Sequence, residues 1–180
     1  AVFAEAAQGL DENADQPFWF GRHCFFGRGA APGEMAFIFP GQGSQYLQMG
    51  RDWVAWFPEA LASIEAAAGQ FNDPVPLTDY IYPLPDDSLK ADCEAALRQT
   101  NVAQPAIGAV SVAMEKVLRR FGVTPAFTCG HSYGELTALF SAGWIDEATL
   151  HTLSALRGQL MAAAGGPDGA SRGTMMAVKA

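Results

Sequence analysis

Three observations predict an α/β fold with a parallel sheet. Two short apolar runs, Met35-Ala36-Phe37-Ile38-Phe39 and Ala126-Phe127-Thr128-Cys129, each lead into a glycine-containing turn. Helical patterns separate and follow them. The order strand, helices, strand, helix, helix, strand is that of parallel neighbours joined by helical crossovers.

Composition agrees with a packed domain. The 180 residues are 49% hydrophobic, which excludes disorder as a description of the whole chain. No run approaches the roughly 18 consecutive apolar residues of a membrane span. The chain has 11 Lys+Arg against 19 Asp+Glu, and its densest basic spot is the pair Arg119–Arg120. A surface that tracks phosphates needs more positive charge in one place, so nucleic acid is not the expected partner. Cys24, Cys93 and Cys129 are far apart and show no metal spacing such as C-x2-C. Reduced thiols in a cytoplasmic protein account for them. The stretch after Ala1 has neither a basic segment nor an apolar one of the secretory kind, so no signal peptide is expected.

The elements follow in order. Residues 1–34 read as a short helix near Val2–Leu10 and then a linker ending at Gly29-Ala30-Ala31-Pro32-Gly33, with Phe18, Trp19, Phe20, Phe25 and Phe26 free to pack elsewhere. Met35–Phe39 reads as a buried, parallel-type strand closed by Pro40-Gly41. Leu47–Phe71 is helical in pattern and broken at Pro58, Asn72–Pro85 holds four prolines and reads as a loop, and Asp86–Leu97 is helical again. A long helix is expected from Pro105 to Phe121, with Ile107, Val110, Met114, Val117 and Leu118 on one face and Gly122 as its stop. The second strand, Ala126–Cys129, precedes a helix from Ser132 to about Ala142. Another helix spans Glu147–Ala164, and Thr174–Lys179 reads as the start of a further strand.

The strongest local signal is Gly130-x-Ser132-x-Gly134 between strand and helix. This pattern puts a serine on a sharp turn with its hydroxyl projecting above the sheet edge. The flanking glycines leave room in the turn. The following helix directs its partial positive end toward the serine, which favours a developing oxyanion. A serine nucleophile needs a base, commonly histidine. His131 adjoins Ser132 and diverges from it in a tight turn, His151 lies on a later helix, and His23 sits in the N-terminal stretch. None is a natural base, so the pattern offers a nucleophile without an evident partner.

Four motifs in one order then carry a family resemblance: Phe39-Pro40-Gly41-Gln42-Gly43-Ser44-Gln45, Gln104-Pro105-Ala106, Gly130-His131-Ser132-Tyr133-Gly134-Glu135, and Arg157-Gly158, with Arg157 twenty-five positions after Ser132. From Met35 to Ala180 the chain resembles malonyl-CoA:acyl carrier protein transacylases and the acyltransferase domains of iterative and modular polyketide and polyunsaturated fatty acid synthases. The resemblance implies an α/β-hydrolase-like large subdomain with a parallel sheet over residues 35–172. It implies a small ferredoxin-like subdomain beginning at residues 173–180 and mostly missing here, and a linker over residues 1–34.

The resemblance also implies roles. Ser132 would take a malonyl group from coenzyme A as an ester and pass it to the phosphopantetheine thiol of an acyl carrier protein. Gln42 and Tyr133 would supply backbone N–H groups to the oxyanion. Arg157 would pair with the free carboxylate of malonyl, a geometry that suits a guanidinium. Gln104 would line the same pocket, and His131 would brace the turn beside the substrate. Tyr133, bulky next to the nucleophile, would narrow the space at the malonyl α-carbon and favour malonyl over methylmalonyl. No bound cofactor and no metal are implied; the coenzyme A thioester is a substrate. Partners would be malonyl-CoA, an acyl carrier protein, and other synthase domains or the C-terminal half of the acyltransferase. The family's general-base histidine lies further beyond the serine than the forty-eight residues this chain has after Ser132, so the chain alone is expected to transfer poorly or not at all. Two other readings stay open: an α/β-hydrolase-type esterase or thioesterase using the same turn, and a non-catalytic carrier-docking or scaffold domain.

Overall fold

The computed structural model describes residues 2–29 and 33–164. The chain divides into two compact units, residues 1–33 and residues 34–180.

The first unit is a helix and a hairpin. Helix α1 spans Val2–Glu12, and strands β1 (Phe18–Phe20) and β2 (Phe25–Gly27) pair antiparallel with Trp19 opposite Phe26. Side chains alternate across a strand. Trp19 and Phe26 therefore share one face, stacked at 5.9 Å between centroids, while Phe18, Phe20 and Phe25 share the other. Trp19 is buried, and a side chain at Gly9 of α1 would collide with its ring. Glu5 of α1 accepts from the turn amides of Arg22 and His23 and pairs with His23 Nδ1 at 3.1 Å. That pairing holds the Glu5 carboxyl below its usual range. The stretch read as a short helix and linker thus carries secondary structure of its own. Strands of three residues are too short to show a period of two, which is why the hairpin is hard to see in sequence.

The second unit is built on strands β3 (Ala36–Phe39) and β4 (Phe127–Gly130), which pair in parallel with Ala36 opposite Phe127 and Phe39 opposite Gly130. The His131 amide continues the ladder to Phe39 O at 3.1 Å. One face of this sheet is covered, with Phe39 6% exposed. On the other face Ile38 is 76% and Phe127 63% exposed, so the expectation of strands buried on both sides fails. No described element of the second unit covers that face.

Helices α2 (Arg51–Trp56) and α3 (Pro58–Gln70) divide at Pro58, as the sequence predicts, because proline opens a helix more readily than it continues one. The loop predicted over 72–85 contains a short helix, α4 (Leu77–Ile81). Leu77 and Ile81 are fully buried, and that burial outweighs the proline-rich composition. Helix α5 starts at Lys90 rather than Asp86, because Asp86 Oδ1 accepts from the Ser88 amide and hydroxyl and closes a turn.

Helix α6 spans Thr100–Arg120, so it starts five residues before Pro105, which lies in its second turn. Val102, Ala103 and Gln104 are fully buried, and this packing carries the helix through a residue that costs an interior helix roughly 3 kcal/mol. Ile107, Val110 and Val117 are buried as expected, while Met114 is 38% exposed. Helices α7 (Gly134–Ser141) and α8 (Glu147–Ala164) complete the described chain. Glu115 of α6 is buried and accepts from Arg119 Nε at 2.7 Å and Ser141 Oγ at 2.8 Å, tying α6 to α7. Lys116 Nζ donates to Glu147 at 2.7 Å, tying α6 to α8. The strand expected over Thr174–Lys179, and with it residues 173–180, lies outside the described residues. No helix among the described residues is long and apolar enough to cross a membrane.

Candidate active site

The turn from β4 into α7 sets the site. Ser132 has φ of +55°, in the left-handed region that a side chain disfavours. A serine held there costs roughly 1–2 kcal/mol. It persists because the surroundings over-determine the turn. A Cβ at Gly130 would sit 2.1 Å from the Gly134 carbonyl, and one at Gly134 would sit 2.2 Å from Phe39 O. Both glycines are therefore required by close backbone approach. Helix α7 begins at Gly134 rather than at Ser132, since a residue at positive φ cannot belong to a right-handed helix. The Ser132 side chain is exposed, as the pattern predicts.

The loop after β3 lies against this turn. A Cβ at Gly41 would approach His131 O at 2.5 Å, His131 Nδ1 at 3.1 Å and Ser132 Cβ at 3.4 Å. Gln42 follows at once. The backbone N–H groups of Gln42 and Tyr133 find no acceptor among the described residues. Tyr133 follows Ser132 in the chain, and Gln42 follows Gly41, which lies against Ser132; free backbone donors near a serine hydroxyl are the groups an oxyanion site uses. His131 is exposed beside Gly41.

The N-terminal half of α6 collects the remaining residues. Gln42 Nε2 donates to Thr100 Oγ1 at 3.1 Å. Gln104 is fully buried, and its Oε1 accepts from Arg157 Nη1 at 2.7 Å while its Nε2 lies 3.3 Å from Met161 Sδ. A Cβ at Gly158 would lie 2.9 Å from Thr100 O, so α8 approaches α6 at backbone distance. Arg157 is half-buried and oriented by an amide, with no carboxylate paired to it among the described residues. Such a guanidinium retains donors for an incoming carboxylate.

Tyr133 departs from expectation. Its side chain is 0% exposed, and its hydroxyl lies 2.6 Å from Ser154 Oγ on α8. A Cβ at Gly108 would come within 2.0 Å of that hydroxyl. Burial pushes the phenol up to about 12, with the Ser154 hydrogen bond partly offsetting it. The ring points into the helices and cannot narrow the space over the serine. In a tight turn consecutive side chains diverge, and the one after the serine takes the inward direction here.

The other histidines are not placed as bases. His151 is 2% exposed, and neither ring nitrogen has a hydrogen-bond partner among the described residues. Its Nε2 lies 3.6 Å from Glu147. Burial holds its pKa below the usual imidazole range, with Glu147 opposing in part, so its place is in the core and its protonated form is disfavoured there. His23 belongs to the Glu5 pair of the first unit.

Sequence reasoning missed Thr100, Gly108, Ser154 and Met161. The signal available was glycine in helix interiors: Gly108 and Gly158 each weaken a helix by about 1 kcal/mol, and such residues commonly mark close packing.

The chain is similar to known proteins in sequence and in fold. Residues 36–179 match the family described as acyl transferase domain. Mycoketide-CoA synthase of Mycobacterium tuberculosis is 38% identical over 172 residues, covering 96% of this chain and 4% of that protein. The crystal structure of MCAT from Streptococcus pneumoniae is 36% identical with a TM-score of 0.64, covering 73% of this chain and 39% of that one. The acyltransferase domain from the second module of the salinomycin polyketide synthase is 31% identical with a TM-score of 0.67, covering 88% and 34%. The chain thus spans a small fraction of its curated relatives' length and about two-fifths or less of these solved structures. It belongs to the acyl transferase domain family, with that family's α/β fold.

Proposed function

We propose that this chain carries the nucleophile and the carboxylate-binding arginine of a malonyl transferase serving polyketide or fatty acid synthesis. The observation that supports this best is the convergence on α6: Gln42 bonds Thr100, and one turn later Gln104 orients Arg157. A simple esterase has no need of a held guanidinium, whereas a dicarboxylic acyl group does.

In this reading Ser132 Oγ attacks the thioester carbon of malonyl-CoA. The oxyanion receives the N–H groups of Gln42 and Tyr133, and collapse expels the coenzyme A thiol. The thiol of a phosphopantetheine arm then attacks the Ser132 ester and restores the hydroxyl. Arg157 holds the malonyl carboxylate through both steps, and His131 braces the turn from the Gly41 side. Neither His151 nor His23 is placed to serve as the general base. Discrimination against a methylmalonyl branch does not rest on the Tyr133 ring. Residues 35–172 are assigned to the large subdomain and 173–180 to the start of a ferredoxin-like one. Residues 1–34 are assigned to a linker preceding the acyltransferase in a cytoplasmic synthase. One solved relative, 36% identical with a TM-score of 0.63, is a malonyl-transacylase in complex with a type II polyketide synthase acyl carrier protein, which supports a carrier as acceptor.

The test is transfer by the native full-length polypeptide. Malonyl-CoA and a phosphopantetheinylated acyl carrier protein are mixed, and the mass of the carrier is followed. A malonylated carrier that Ser132→Ala abolishes is the expected result. Release of free malonate with the carrier unchanged would support the hydrolase reading, and inertness would support a scaffold.

A further inference from the structure

The side chain of Tyr133 has no part in the transfer chemistry above, yet it is the largest fully buried side chain of the described chain. Its surroundings are specific. Ser154 Oγ donates its own proton to Leu150 O at 2.6 Å, the back-bond common for serine inside a helix. A hydroxyl has one proton, so in the 2.6 Å contact Tyr133 donates and Ser154 accepts. The ring end lies over Gly108, where any side chain would collide with it.

Helices α6 and α8 cross antiparallel, and their contacts form rungs. Gly108, Tyr133 and Ser154 make one. Gln104 and Arg157 make the next, four residues back on α6 and three forward on α8. Thr100, Asn101 and Gly158 make the third. Residues three or four apart share a helix face, so the Tyr133 rung and the Arg157 rung are neighbours along the same interface. Tyr133 is covalently next to Ser132. The ring therefore links the nucleophile turn directly to the helix that carries the arginine.

We propose that Tyr133 is a positioning residue, whose ring on Gly108 and hydrogen bond to Ser154 set the span between the Ser132 hydroxyl and the Arg157 guanidinium and so match it to a short dicarboxylic acyl group. This rests on the reading of Ser132 and Arg157 given above. A span held by a rigid peg favours one acyl length; a loosened span costs the dicarboxylic substrate its second anchor and leaves a monocarboxylic one with nothing further to lose.

The experiment compares ester formation on Ser132 from malonyl-CoA and from acetyl-CoA, as a ratio of kcat/KM, in the native full-length polypeptide. Tyr133→Phe and Ser154→Ala are each expected to lower the malonyl-to-acetyl ratio about tenfold, chiefly by raising KM for malonyl-CoA. The double variant is expected to lower the ratio no further, because both changes remove the same Tyr133–Ser154 bond. If Tyr133→Phe does not fold, Ser154→Ala decides alone, since it removes one oxygen from an intact helix. An unmoved ratio, or equal losses for both substrates, overturns the positioning role while leaving the Ser132 reading standing. No ester from either substrate in the unaltered polypeptide overturns that reading as well.

Discussion

The Ser132 turn and the α6–α8 crossing differ in exposure, in backbone strain and in how their hydrogen bonds are used. The turn is exposed and strained and keeps two backbone donors free. The crossing is buried, Tyr133 pairs with Ser154 and Gln104 with Arg157, and its helices approach at glycine distance. Under the proposed function, the difference separates the group that would react from the group that would select. Reactive groups need open access and unspent hydrogen bonds, which cost stability. Selecting groups need fixed spacing, which only packing supplies.

The largest expected effect breaks the turn itself. Gly134→Ala sets a methyl against the Phe39 carbonyl, a backbone atom that cannot swing away, and is expected to destabilise by about 3 kcal/mol. Equilibrium denaturation measures it, and a loss below about 1 kcal/mol would mean that the turn yields easily. Next, Arg157→Ala acts on the crossing. Losing a charge-assisted pair is expected to lower malonyl loading about 10- to 100-fold more than acetyl loading. Equal losses would remove Arg157 from the carboxylate site.

A smaller effect concerns His151, which the crossing buries near Glu147 and Lys116. Its folded pKa lies below the unfolded one, so the unfolded chain takes up a proton first as pH falls. Stability is therefore greatest above about pH 6.5 and declines as pH drops from there toward the folded pKa. Thermal midpoints from pH 7.5 to 5.5 should fall, and His151→Phe should flatten that fall; an unchanged slope would contradict a neutral buried ring. The smallest effect sharpens the contrast from the other side. Ser132→Gly relieves the left-handed strain and is expected to raise stability by about 0.5–1 kcal/mol while ending ester formation. Loss of stability in that variant would argue that the turn is not strained.

Much of the turn was legible in sequence and little of the crossing was. Gly130-x-Ser132-x-Gly134 announces its own geometry, because few residues tolerate such close backbone approach. Strands β3 and β4 were visible as apolar runs, and α8 by its unbroken pattern. What failed depends on burial by distant elements. Pro105 looks like a helix start until Val102, Ala103 and Gln104 are seen to be buried. Tyr133 looks like a residue facing the substrate until Gly108 and Ser154 provide a seat for it. Helix α4 hides among prolines because only the burial of Leu77 and Ile81 reveals it. The role of Arg157 was suggested by motif order; its bond to Gln104 is a tertiary fact that spacing alone does not give.

The central claim is that Ser132 accepts a malonyl group from coenzyme A. The most direct measurement is peptide-mapped intact mass spectrometry of the native full-length polypeptide after brief exposure to malonyl-CoA. The account predicts one malonyl group on the peptide containing Ser132, absent in Ser132→Ala. A malonyl group on any other residue, or none while the protein remains folded, would contradict it.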